Sequence, residues 1–106
     1  MKMTAPLERV LRAFLDDTAA PRYGYDLMKA AGLKSGTLYP MLSRLESDKL
    51  VTSAWETPQQ DGERPRKYYQ LTGEGIRVAR LELAQASVGR LRATARPGRP
   101  APRSLG

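Results

Sequence analysis

Leu7, Val10, Leu11, Phe14 and Leu15 recur at spacings that place them on one side of a helix, with polar residues between them. Thr4 can cap this first helix, with Pro6 early in it and Glu8 in its first turn. The helix ends near Asp16-Asp17, ahead of Pro21, which disfavours helical dihedrals in the residue before it. The next segment, Arg22 to Gly32, reads as a short helix. Tyr25, Leu27, Met28 and Ala31 supply its apolar side, and Gly32 is the left-handed residue that closes it. A third helix opens at Ser35, a residue able to cap, and runs out at Ser47-Asp48-Lys49. Leu38, Leu42 and Leu45 share its buried face.

The period then changes. Leu50-Val51-Thr52-Ser53-Ala54-Trp55-Glu56-Thr57 carries β-branched residues and an aromatic and reads as a strand. Pro58 to Pro65 is a polar turn with Asp61-Gly62 at its tip, and Arg66 to Leu71 is the returning strand. Arg64, Arg66 and Lys67 stand at the base of this hairpin. Trp55 is able to stack on a small molecule, but a Trp in a short strand belongs more simply to a core, and the core is where it is expected. Tyr68 and Tyr69 point to opposite faces, one to the core and the other toward the wing or a bound DNA. The order helix, helix, helix, strand, turn, strand predicts a winged helix-turn-helix: mainly α with a small β-hairpin wing, an α+β fold.

Thr72 caps a last helix whose period continues to about Ala95. Ile76, Ala79 and Leu83 form a stripe that packs on the domain. Leu81, Ala84, Val88, Leu91 and Ala95 form a second one in a three-four pattern. The second stripe is either a dimerisation seam or a frayed amphipathic face on the same domain. Gly89 either marks a close approach of two backbones or is neutral. From Arg96 on, RPGRPAPRSLG has too little apolar material to fold, and its Arg96, Arg99 and Arg103 can neutralise phosphates without reading bases. The expected organisation is a DNA-binding domain over residues 1–72, a dimerisation helix over 73–95 and a disordered basic tail over 96–106.

Composition narrows the function. The net charge is +7 and the isoelectric point near 10.1, a balance that favours a polyanionic partner, nucleic acid before a membrane surface. There is no Cys and no His, so a cysteine nucleophile, a thiolate zinc site, the commonest general base and the commonest metal ligand are absent, and an enzyme would have to rely on carboxylates, Lys, Ser or Tyr. The carboxylate pair Asp16-Asp17 more simply ends the first helix. No enzyme activity, metal or cofactor is therefore expected. No apolar run approaches the roughly 20 residues that span a bilayer, and the N-terminal segment lacks the apolar core of a signal peptide, so a cytoplasmic protein is expected.

The helix from Ser35 carries the chemistry. Opposite its leucines it presents Thr37, Tyr39, Ser43 and Arg44, side chains that hydrogen-bond base edges or phosphates. Pro40 sits in its second turn, where it removes a backbone donor. It is either a tolerated kink or a device that aims the helix's N-terminal end at a ligand. A winged-helix module for protein–protein contacts is the competing reading. It has no need to gather Arg44, Arg64, Arg66 and Lys67 near one face.

The assembled chain resembles the PadR family of transcriptional regulators. The matching residues are Tyr23-Gly24-Tyr25-Asp26-Leu27; Ser35-Gly36-Thr37-Leu38-Tyr39-Pro40 with Leu42 and Arg44-Leu45-Glu46; Trp55-Glu56; Arg64-Pro65-Arg66-Lys67-Tyr68-Tyr69; and Leu71-Thr72 with Gly75. The resemblance implies a homodimeric winged helix that binds operator DNA, usually as a repressor, and commonly releases it when a small aromatic compound binds. It implies DNA contacts by Ser35, Thr37, Tyr39, Pro40, Ser43 and Arg44 on the helix and by Arg64, Arg66 and Lys67 on the wing. Dimerisation would fall to Leu81, Ala84, Val88 and Leu91. The chain departs from the pattern in three places. The turn before Ser35 is short, Lys49 stands where Gly is common, and a single helix follows the wing.

Overall fold

Thr4 accepts the Leu7 amide on its hydroxyl at 3.2 Å and so starts α1 (Ala5–Leu15), as its position in the sequence predicts. The structure, a computed structural model, describes residues 2–58 and 60–94. The end of the last helix at Ala95 and the tail from Arg96 lie outside the described residues. After α1 come β1 (Arg22–Tyr23), α2 (Gly24–Ala31), α3 (Ser35–Ser47), β2 (Val51–Glu56), β3 (Arg66–Leu71) and α4 (Gly73–Thr94). The three strands form one antiparallel sheet in the order β1-β3-β2. Val10, Leu11 and Phe14 of α1, Leu27 of α2, Leu38 and Leu42 of α3 and Val51 of β2 are fully buried in a single core. The winged helix-turn-helix is thus the observed fold, with a third strand added to the wing's hairpin.

Strand β1 is the element that the sequence pattern conceals. Two residues are too short to show a period, and the local pattern places them in the second helix. Arg22 pairs with Tyr69 and Tyr23 with Tyr68, so the segment is claimed by the sheet. Tyr25 is also corrected. It is exposed in the first turn of α2, with the Lys29 ammonium 5.4 Å from its ring centroid, and does not belong to the apolar side. Strand β2 is shorter than expected, because Leu50 belongs to the turn that leaves α3.

Both helices of the helix-turn-helix end in the same hydrogen-bonded motif. Leu33 donates to the Met28 carbonyl at 2.9 Å and Gly32 to that of Lys29 at 3.3 Å, with Gly32 at φ 65°. Leu50 donates to the Leu45 carbonyl at 2.9 Å and Lys49 to that of Glu46 at 3.0 Å, with Lys49 at φ 63°. A side chain at positive φ is strained, because its Cβ crowds the backbone. The corner therefore keeps its geometry without the glycine usually placed there. Lys49→Gly should raise stability by about 0.5–1 kcal/mol, the relief of that strain less the extra chain entropy of Gly. Thermal melting checks this, and an unchanged or lower midpoint contradicts it.

The last helix is fixed at both ends of its described length. Thr72 accepts the Gly75 amide at 2.9 Å and donates its own hydroxyl proton to the Lys49 carbonyl at 2.9 Å. Farther along, Arg90 grips Glu8 of α1 with two hydrogen bonds, of 3.0 and 3.3 Å. Those bonds, and then the one from Arg12, hold the Glu8 carboxyl below the usual carboxylate range. Ala79 and Leu83 are buried against the domain and Ile76 packs beside them, as their stripe predicts.

Candidate nucleic-acid interface

Helix α3 starts one residue earlier than its cap signal suggests. Lys34, in extended conformation, occupies the cap position without a side-chain bond. Its carbonyl accepts the amides of Thr37 at 3.0 Å and Leu38 at 2.9 Å. Ser35 is therefore the first helical residue and not the cap, and its hydroxyl is not spent on closing the helix. Leu38, Leu42 and Leu45 point inward. Ser35, Thr37, Tyr39, Pro40, Ser43 and Arg44 are all exposed.

At about 100° per residue these six do not share one line. Pro40 and Ser43 lie near the middle of the exposed face. Arg44 and Thr37 flank it on the side of α1, where Arg44, Met41 and Pro40 border a groove with Lys2, Thr4 and Leu7. Tyr39 flanks it on the other side, 40% exposed. Its phenol lies so close over Gly24 that a Cβ at that position would overlap the ring's hydroxyl. The Tyr-Gly-Tyr run at 23–25 thereby acquires a reason: Gly24 seats the ring of Tyr39 on the start of α2. Pro40 lies inside the helix, whose assignment continues through it to Ser47.

The hairpin register sorts the wing into two faces. Val51 pairs with Leu71, Ser53 with Tyr69 and Trp55 with Lys67, and these six side chains share the face that packs on α3. Ser53 donates to Glu46 of α3 at 2.6 Å, pinning that face to the helix. Burial, and then the carboxylate of Glu46 nearby, pushes the Tyr69 phenol up. Where α3 no longer covers the sheet, the face continues into solvent as Trp55 and Lys67. The Lys67 ammonium lies 5.6 Å from the Trp55 ring centroid and 5.7 Å from that of Tyr69.

The opposite face holds Glu56, Arg66 and Tyr68, braced by β1. Tyr23 donates to Glu56 at 2.5 Å, packs edge-on against Tyr68 with centroids 6.3 Å apart, and carries the Arg66 guanidinium 3.7 Å above its ring. The bond to Glu56, reinforced by burial, pushes the Tyr23 phenol up. Arg66 and Lys67 thus stand on opposite sides of the wing, while Arg64 lies exposed in the loop before Pro65. Of Tyr68 and Tyr69, Tyr69 is the core residue.

Trp55 corrects the sequence reading. It is 65% exposed and no part of the core. The alternation puts it in phase with Val51, but the helix that buries Val51 does not extend so far. Tyr23 has no distinguishing signal in the sequence beyond its place in the Tyr-Gly-Tyr run, and the structure makes it the pivot of the wing's outer face.

On α4, Leu81 is 46%, Val88 45% and Leu91 67% exposed, and Ala84 is exposed beside them. Ala84, Gln85, Val88, Gly89 and Arg92 line a shallow groove along this face, with open space above Gly89.

The model of the Transcriptional regulator PadR-like family matches residues 13–81. The chain belongs to this family. It is similar to a PadR family transcriptional regulator from Eggerthella lenta, 39% identical over 80% of this chain and 84% of that one, with a TM-score of 0.61. A PadR-like transcription factor from Bacteroides fragilis is 36% identical over 83% and 84% of the two chains, with a TM-score of 0.58. The Streptococcus mutans protein smu.1704 is 25% identical and superposes over 97% and 98% of the two chains, with a TM-score of 0.72. No curated protein matches the chain. As a PadR-like protein the chain is a DNA-binding transcriptional regulator and not an enzyme. No helix among the described residues is long and apolar enough to cross a membrane.

Proposed function

We propose that this PadR-like protein is a cytoplasmic repressor that binds a palindromic operator in double-stranded DNA as a homodimer. The observation that supports it best is the division of α3 into a leucine face sunk in the core and an exposed polar face beside a wing that carries Arg64, Arg66 and Lys67. In this reading α3 enters the major groove. Ser43 and Pro40 face the groove centre, and Ser35, Thr37, Tyr39 and Arg44 reach base edges or the flanking backbone. Arg64, Arg66 and Lys67 meet phosphates from the wing. The stack on Tyr23 holds the Arg66 guanidinium plane, so it loses little freedom on pairing. Two copies joined through α4 present two such helices to two half-sites. A small aromatic effector completes the reading: seated between Leu7 and Met41, it would press on Pro40 and Arg44 and disturb the recognition face.

The test pairs melting with binding. Duplexes selected from a random pool supply the operator, and a palindromic consensus is expected. Tyr39→Ala should narrow the gap between operator and random DNA by roughly 1–3 kcal/mol, the value of one base-reading side chain. Lys67→Ala should weaken both together and lower the salt slope by about one unit, as losing one phosphate contact does. If Tyr39→Ala, Arg44→Ala and Lys67→Ala all melt and bind as the parent does, DNA recognition by this face is wrong. A protein-interaction module then becomes the better account.

A further inference from the structure

Trp55 is the only tryptophan in the chain and stands mostly in solvent, past the part of the wing that α3 covers. Three observations bear on what it meets. It shares the α3-facing side of the hairpin with Lys67 and Tyr69, and Ser53 on that same side bonds Glu46 of α3. A run of aromatic and cationic groups therefore leads outward along the wing from the part that packs on α3: Tyr69, Lys67, Trp55. The indole is also not alone as an apolar group, since Pro58, Pro65 and Thr57 line a shelf with it; Glu56 borders the shelf too, its carboxylate taken up by the Tyr23 hydroxyl. Finally, an ammonium stands beside the ring, 5.6 Å from its centroid, and Arg64 is exposed one residue before Pro65.

An apolar plate edged by cations suits a polyanion whose charges alternate with apolar surface. A DNA strand has that character, with deoxyribose faces between phosphates. An apolar protein surface would have to bury the ammonium unpaired, which is costly. We infer that Trp55 packs on the deoxyriboses of one strand beside the groove that α3 enters, while Lys67 pairs with the adjoining phosphate. Trp55 thereby becomes a binding residue that adds affinity without reading sequence. The inference rests on the DNA-binding reading above and adds a specific contact to it.

The two residues should differ in their salt signatures. Trp55→Ala removes contact area but no charge. It should weaken binding to a random-sequence duplex and to a selected operator alike, by about tenfold, with an unchanged salt slope. Trp55→Phe should recover most of the loss. In the parent, an unlabelled random duplex should shift the emission of this single tryptophan to the blue and shield it from acrylamide. Labelled duplex in a parallel anisotropy titration reports binding itself. If the duplex binds but Trp55 stays as accessible to acrylamide as in the free protein, the contact is wrong and DNA binding stands. If Trp55→Ala melts lower and binds as the parent does, Trp55 is structural and the contact is again wrong. If no duplex binds, the DNA reading and this contact fall together.

Discussion

Gly75→Ala should lower the melting midpoint by about 15 °C, a loss of about 3 kcal/mol at the upper end of what overpacking costs. Gly75 lies in the first turn of α4, directly against the carbonyl of Leu50, and a Cβ there would overlap that oxygen. The oxygen cannot retreat cheaply, because it accepts the Thr72 amide at 3.0 Å. Thr72 in turn bonds the Lys49 carbonyl and the Gly75 amide, both at 2.9 Å. One methyl group thus presses on the corner where α3 hands over to β2 and β3 to α4. Either α4 tilts off the sheet or the Thr72 bonds break. Gly73→Ala is the control. It lies two residues earlier with nothing within 4 Å of its added Cβ, and should melt close to the parent. If Gly75→Ala melts like Gly73→Ala, α4 is not held by this contact.

What could be read from the chain follows the range of each interaction. The faces of α1 and α3 were legible because Leu7, Val10, Leu11 and Phe14, like Leu38, Leu42 and Leu45, repeat with a local period. The return strand was legible to the residue, because Pro65 and Thr72 bracket it. Thr4 and Thr72 cap as their positions predict. The misplacements of Trp55, Arg22 and Tyr23 share one cause: each depends on a distant element, whereas those of Ser35 and Tyr25 are local. Trp55 has the phase of a core residue but stands past the cover of α3. Arg22 and Tyr23 are a strand only because β3 passes beside them. Gly24 and Gly75 are needed because Tyr39 and Leu50 lie against them, contacts across 15 and 25 positions that no local pattern records. At the candidate interface, the composition of the α3 face was legible. The split of Arg66 and Lys67 to opposite faces follows from alternation, but the clamp on Tyr23 does not.

Val88→Asp should convert the protein from dimer to monomer and remove most of its operator affinity. The inner stripe of α4 is satisfied within the chain: Ala79 and Leu83 are buried, and Arg90 is bonded to Glu8 of α1. The outer stripe leaves Leu81 and Val88 each nearly half exposed, with Ala84 between them. Gly89 lies open beside Val88, so a second helix can approach the backbone closely there. A symmetric pairing of two such stripes places each Val88 in the interface, where an aspartate would be a buried charge without a partner. Such a charge costs roughly 3–5 kcal/mol, enough to dissociate a dimer at micromolar concentration. The monomer keeps its core and its α3 face, so binding to random DNA should fall modestly. Binding to a palindrome should fall at least a hundredfold, because one recognition helix no longer anchors the other at the second half-site. Sedimentation and operator titration of parent, Val88→Asp and Leu81→Asp give the answer together. A parent that sediments as a monomer at micromolar concentration overturns the dimer. A monomeric Val88→Asp with full operator affinity overturns the two-half-site mode of binding instead.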